Sequence, residues 1–149
     1  MRPNTQFAIA IHTLTLLALA GDAQVTSTEM ASSVNTNPAF LRRILGDLHR
    51  AGLVESQPGA SGGWRLRRAP EAITLREIFR AVDERHLLAM HHHPNPNCQI
   101  GAVIQSTLET YFGEAEAAFE QTLAGRTLAQ VVETALATAA LATAAREAS

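Results

Sequence analysis

The chain has 149 residues, 46% hydrophobic and 17% charged, enough for one domain or for a compact domain with an appended segment. Its single cysteine excludes a disulfide framework and makes a cytoplasmic, reducing location the default expectation. The net charge of −2 hides an asymmetry: every basic residue is arginine, and residues 35–70 carry six arginines against only Asp47 and Glu55, while residues 86–149 hold two arginines against six carboxylates. Such a distribution suits a DNA-facing half joined to a neutral-to-acidic half with another task.

In chain order, residues 7–20 (FAIAIHTLTLLALA) form the first apolar stretch. Following Arg2, they could be a secretory signal. They are interrupted by His12, Thr13 and Thr15, however, and fall short of the ~18 residues a membrane span needs. Phe7, Ile11, Leu14 and Ala18 recur at helical spacing, so a core helix is the better reading and no membrane partner is expected. Gly21 and Asp22 stop it. Thr26 to Val34 opens with hydroxyl residues; Thr26 and Glu29 have capping-box spacing, with Ser27 an alternative cap.

Asn35, Thr36 and Asn37 are turn residues, and Pro38 stands where a first helical residue belongs, with Asn37 as cap. Phe40, Leu41, Ile44, Leu45 and Leu48 give the next helix an apolar face, ended by Gly52. Leu53 to Gln57 and Trp64 to Arg68 predict two strands around a Pro58 to Gly63 loop. Three helices and a hairpin, in that order, predict a winged helix-turn-helix. A fourth helix starts at a Thr74 cap with Glu77 in capping-box position. Residues 86–97 read as a proline-broken loop. Ile104, Leu108, Tyr111, Phe112, Ala115, Phe119 and Leu123 trace a long helix beyond it, and an alanine-rich helix follows from Leu128. The expected fold is mainly α with a small β-hairpin: a winged helix-turn-helix domain over residues 1–85, then a sensor loop and long dimerisation helices over residues 86–149.

An α-helix fits the DNA major groove, where arginine bonds a guanine edge in bidentate fashion or neutralises phosphate. The helix from Pro38 has no acidic residue in its first turn; its outward amides and Arg42 and Arg43 suit that task, with Thr36, Asn37 and Ala39 nearest the bases. In the hairpin, Gly59, Gly62 and Gly63 leave the backbone unobstructed. Arg65, Arg67 and Arg68 lie beside it, not all on one side, because strand residues alternate. On charge alone these arginines could equally form a solvated surface; the order of elements favours DNA.

The stretch NPAFLRRILGDLHRAGLVESQPGASGGWRL from Asn37 to Leu66, continued by ITLREIFRAVD from Ile73 to Asp83, closely resembles the Rrf2 family of bacterial winged-helix regulators. The resemblance implies a homodimer whose long C-terminal helices pair and whose recognition helices bind a palindromic DNA operator, as a repressor. It places Ala39, Phe40, Arg42 and Arg43 on the DNA-reading helix, with Phe40 also suited to the core. It makes Pro58 to Gly63, including Ser61, the wing tip. Pro58 stands where some members have arginine, which implies either weaker wing contacts or contacts made by Arg65 instead. Sensing members carry three cysteines that ligate an iron–sulfur cluster, which needs about four protein ligands. Here Cys98 stands alone, so no cofactor is expected.

Cys98 follows a run of His91, His92 and His93. One reading has Asn97 capping the next helix and Cys98 in its first turn, a thiolate-favouring position suited to sensing oxidants or electrophiles. A second has Cys98 and histidines binding zinc or copper, although the spacing matches no known finger. A third makes the cysteine a small buried residue and the histidines solvated. An enzyme using Cys98 as nucleophile has no supporting motif. A winged helix serving only protein interaction is the remaining competitor.

Overall fold

The computed structural model describes residues 5–83 and 87–149. Arg2 and the expected boundary at residues 85 and 86 lie outside the described residues. Six helices and one hairpin follow the anticipated order: α1 Gln6–Ala20, α2 Ser27–Val34, α3 Pro38–Arg50, β1 Val54–Gln57, β2 Gly63–Leu66, α4 Leu75–Val82, α5 Ile104–Ala124 and α6 Leu128–Glu147. A single 3₁₀ turn over Pro70–Ala72, started by its proline, precedes α4.

Helix α1 is the axle of the core. Ala10, Leu14 and Leu17 are fully buried along one line, and Phe7, Ile11 and Ala18 pack beside them. It touches α2, α3, α4, α6 and β2, which explains an apolar stretch with little polar face. In α2 the Thr26 hydroxyl accepts from the Glu29 amide at 3.2 Å, while the Glu29 carboxylate accepts from the Thr26 amide at 2.8 Å. Thr26, not Ser27, is therefore the cap, and its amide and hydroxyl hold the Glu29 carboxyl below its ordinary range. Asn35 ends the helix in the left-handed region at φ 58°, which asparagine tolerates better than most residues.

From α3, Leu41, Ile44, Leu45 and Leu48 enter the core with Met30, Leu53, Val54, Ile73, Ile78 and Val82. Fully burying each large aliphatic side chain contributes about 1.5–3 kcal/mol. Strands β1 and β2 are antiparallel, pairing Val54 with Leu66 and Gln57 with Gly63. Val25 extends the sheet: its amide donates to the Trp64 carbonyl at 3.0 Å and its carbonyl accepts from the Trp64 amide at 2.8 Å. Thr74 and Glu77 cap α4 reciprocally. Arg68 donates to Glu77 at 2.9 Å, and this is the main reason the Glu77 carboxyl lies below its ordinary range.

The C-terminal helices return to this core at separate points. Phe119 of α5 meets Phe79 edge to face at 5.2 Å, Phe79 meets Phe7 at 5.3 Å, and Arg80 pairs with Glu120. At the start of α6, capped by Thr127 and Gln130, Leu128 is fully buried and its amide donates to the Ile73 carbonyl at 2.8 Å. The first turn of α6 thus belongs to the same core as residues 5–83. From Glu133 onward every residue of α6 is exposed. By length and composition this helix is apolar enough to cross a bilayer, a property it owes to small alanines rather than large side chains.

Candidate nucleic-acid interface

The turn between α2 and α3 sets up the reading surface. Asn37 Oδ1 accepts from the Ala39 amide at 2.7 Å and the Phe40 amide at 3.4 Å, and the Asn37 carbonyl accepts from the Leu41 amide at 3.0 Å. The first amides of α3 are therefore taken by their own cap. This corrects the expectation that they face outward for phosphate, and leaves side chains to make the contacts. Ala39, Arg42 and Arg43 are exposed, and Thr36, in the turn before the helix, is half-buried. Phe40 packs against the core, and the Arg43 guanidinium lies over its ring at 5.0 Å. That cation–π contact holds the long side chain along the helix. Among the described residues, neither Arg42 nor Arg43 enters an ion pair.

The wing is braced against this helix. His49 Nδ1 lies 3.1 Å from the Val54 carbonyl, and its ring meets Trp64 edge to face at 6.3 Å. His49 was not singled out from sequence. Its role depends on the hairpin folding back over the end of α3, which no local pattern encodes.

At the tip, Gly59 and Ser61 are exposed. Gly59 adopts φ +104° with open space around it. Gly62 and Gly63 serve a different purpose from the unobstructed approach expected of them. A Cβ on Gly62 would lie 1.9 Å from the Gln57 carbonyl oxygen, and one on Gly63 would lie 2.8 Å from that of Val25. They are glycines because the chain itself crowds them.

The three hairpin arginines separate by position. Arg65, within β2, and Arg67, just beyond its end, are both exposed. Arg65 is paired across the strands with Glu55 at 2.5 Å, so it reaches phosphate only by exchanging that partner. Arg67, absent from the expected contact set, is exposed as well. Arg68 turns inward to Glu77 and the Ala72 carbonyl and is a structural brace.

The 87–103 segment departs from expectation. Cys98 is exposed, against the buried reading, and α5 begins only at Ile104, with Val103 as cap and no side-chain cap bond. Cys98 is therefore not in the first turn of α5, nor does Asn97 cap it. The local turn chemistry belongs to Asn95, whose side chain accepts from the Asn97 amide at 2.9 Å and whose carbonyl accepts from the Cys98 amide at 3.2 Å. The Cys98 thiol is nonetheless pulled below its ordinary pKa, chiefly by the Gly101 amide and then by that of Ile100. His92 and His93 stand 6.2 Å apart by ring centroid. Among the described residues, no three His, Cys, Asp or Glu side chains come together as a metal site.

Comparison with known proteins identifies the family. Residues 3–134 match the Rrf2 family model, described as an iron-dependent transcriptional regulator. YwnA of Bacillus subtilis (strain 168), named as an HTH-type transcriptional regulator, is 38% identical over 130 residues, covering 87% of this chain and 96% of YwnA. A crystal structure of a protein from Lactobacillus plantarum, titled as a transcriptional regulator, superposes with a TM-score of 0.79 at 22% identity, covering 97% of this chain and 99% of that one. CymR, titled the global cysteine regulator of B. subtilis, superposes with a TM-score of 0.68 at 22% identity over 90% of this chain and 98% of its own; these two share the winged-helix fold. Among the described residues, iron in the family description finds no matching donor set: one exposed thiol and histidines that do not converge with it do not fit a cluster or a mononuclear iron site. A winged helix with an arginine-bearing recognition helix, a match spanning most of the chain and relatives that are regulators rather than enzymes place this chain in the Rrf2 family of DNA-binding transcriptional regulators.

Proposed function

We propose that the protein is a cytoplasmic, homodimeric repressor that reads a palindromic operator, with the N-terminal turn of α3 in the major groove and the β1–β2 wing on the flanking backbone. The observation that carries this reading is the exposed pair Arg42 and Arg43, outside any ion pair among the described residues and held on a capped helix beside a braced wing. Thr36, Asn37 and Ala39 complete the reading turn, and Gly59, Ser61 and Arg65 the wing contact. The test is a gel-shift titration on the protein's own promoter region at several salt concentrations. Arg42→Ala or Arg43→Ala lowers the salt slope by about 1 where a phosphate contact is lost, or costs roughly 1–3 kcal/mol at one base position where a base contact is lost. Unchanged binding in both variants overturns the assignment.

A twofold dimer supplies two recognition helices about one DNA turn apart. Support for it comes from large apolar side chains left exposed on the C-terminal half: Ile100, Val103, Tyr111, Leu136 and Leu141. The partner surface is narrower on α5 than the sequence stripe suggested, because Phe112, Phe119 and Leu123 are half-buried within the chain. Light scattering at micromolar concentration reads a dimer; a monomer removes this part of the proposal.

For the signal, the reading takes Cys98 as a thiol sensor with no resident metal or cluster, supported by its exposure and the amides of Gly101 and Ile100. The thiolate attacks one oxygen of hydrogen peroxide, the O–O bond breaks, and the departing hydroxide takes a proton from solvent, leaving sulfenic acid and water. With no second cysteine in the chain, the product then takes a small thiol or links the two subunits. Operator affinity before and after mild peroxide, in wild type and Cys98→Ser, tests this; identical behaviour leaves Cys98 without a sensing role.

A further inference from the structure

Helix α4 is packed on two sides. Its Ile78 and Val82 lie in the same core as Leu41, Ile44, Leu45 and Leu48 of α3, while its Phe79 and Arg80 meet α5. Among the described elements before residue 84, α4 is the one on which α5 packs most closely. The contact is direct, helix against helix. Phe119 sets its ring edge to face against Phe79 with centroids 5.2 Å apart and planes at 70°, and Phe79 meets Phe7 of α1 at 5.3 Å and 79°. Such a pair has a preferred distance and inclination. Beside it, the Glu120 carboxylate accepts from the Arg80 guanidinium, which with the charge of Arg76 holds that carboxyl below its ordinary range.

Successive residues of a helix project about 100° apart. The ring contact alone would let α5 roll about that point, and the ion pair next to it resists the roll. Elsewhere α5 is loosely held, for none of its residues is fully buried. From Phe119 back to Ile104 the helix extends about 22 Å at roughly 1.5 Å per residue. A tilt of about 10° at Phe119 would therefore move the far end by about 4 Å, close to one base-pair step of roughly 3.4 Å. In a twofold dimer joined through these helices, the same displacement acts on both subunits and so on the separation of the two recognition helices.

We propose that Phe119, with Glu120 beside it, is a positioning residue that sets which operator half-site spacing the protein accepts, by fixing the inclination of α5 against α4. This rests on the reading of the protein as a dimeric DNA-binding regulator. Neither residue touches DNA; both act through α4, whose other side is packed with the recognition helix. From sequence, Phe119 belonged to an apolar stripe directed at a partner subunit, but its ring is turned onto its own chain.

The probes are duplexes carrying the promoter operator with its centre lengthened or shortened by one or two base pairs, and a duplex with a single half-site. The full-length protein should prefer its own spacing by about tenfold or more over a one-base-pair change. In Phe119→Ala that preference should fall to about threefold or less, with the dimer intact by light scattering and the single half-site bound as before. Phe119→Tyr, which keeps the ring, should keep the preference. Glu120→Arg, at a partly exposed position where folding is not at stake, should relax it about two- to threefold, and adding Arg80→Glu should restore it. A wild type indifferent to spacing, a Phe119→Ala dimer with the wild-type preference, or a loss of affinity equal at every spacing overturns the proposal. A genetically encoded spin label at the exposed Ser32 gives a reading without DNA: one narrow distance between subunits, broadened in Phe119→Ala. An unchanged narrow distance overturns the joint whatever the DNA result, whereas broadening in a protein that binds no duplex counts against the operator reading and not against the joint.

Discussion

Fifteen of the sixteen buried apolar side chains among the described residues lie between Ala10 and Val82, whereas the 41 residues of α5 and α6 contribute only Leu128. Charge divides the same way, with arginine in excess before the loop and carboxylates in excess after it. The N-terminal half satisfies its own apolar surface; the C-terminal half extends two long helices that do not. A helix needs tertiary burial for most of its stability, so the proposed dimer would draw on the second half of the molecule, and the proposed DNA contact on the first.

The largest effect that probes this contrast comes from leucines of equal size in unequal settings. Leu128→Ala should cost about 2–4 kcal/mol in denaturant unfolding, since the side chain is fully buried with the N-terminal core. Leu141→Ala, at 73% exposure, should change the stability of the isolated subunit by less than about 0.5 kcal/mol and act instead on the concentration dependence of assembly. Equal losses at the two positions would break the division.

Wing glycines come next. Gly62→Ala should lower stability by about 1–3 kcal/mol because the methyl group collides with the Gln57 carbonyl. Gly59→Ala meets only open space at φ +104° and should cost roughly 1 kcal/mol of backbone strain. Thermal unfolding of both variants ranks them; a reversed order would mean that the tip, not its base, sets the wing.

A smaller effect sharpens the account of Arg65. Glu55→Gln releases Arg65 from its cross-strand partner and should tighten operator binding about two- to threefold at low salt, the modest worth of an exposed pair. No change would place Arg65 away from phosphate. The smallest is kinetic: iodoacetamide should alkylate Cys98 with a pH midpoint below that of an ordinary cysteine, because a lowered pKa populates the thiolate earlier as pH rises. In Gly101→Ala the midpoint should return toward the ordinary value, since a Cβ there would lie 2.2 Å from the Asn95 carbonyl oxygen and displace the turn that aims the amides.

Much of this molecule is legible one segment at a time. Thr26 with Glu29, Asn37 with Pro38, and Thr74 with Glu77 each announce a helix start, because a cap is a bond between residues two or three apart. The hydrophobic spacing of α3 and the paired strands reveal the winged-helix order for the same reason. Asn97 misled because Asn95, two residues earlier, offers the same amide-accepting side chain and won the turn. Strand alternation predicted only that the hairpin arginines would not all lie on one side; that β2 ends at Leu66, before Arg67 and Arg68, and which carboxylate each arginine meets, it did not.

Sequence alone determined the main helices, the hairpin and their order, since caps, turns and periodicity act through neighbours along the chain. Tertiary structure alone decided what each exposed group faces. Residues distant in sequence produced the crowding of Gly63 by Val25, the brace of His49 on Trp64, the burial of Leu128 beside Ile73 and the seat of Phe119 on Phe79. These depend on packing in three dimensions, and no local pattern encodes the direction from which a distant neighbour arrives.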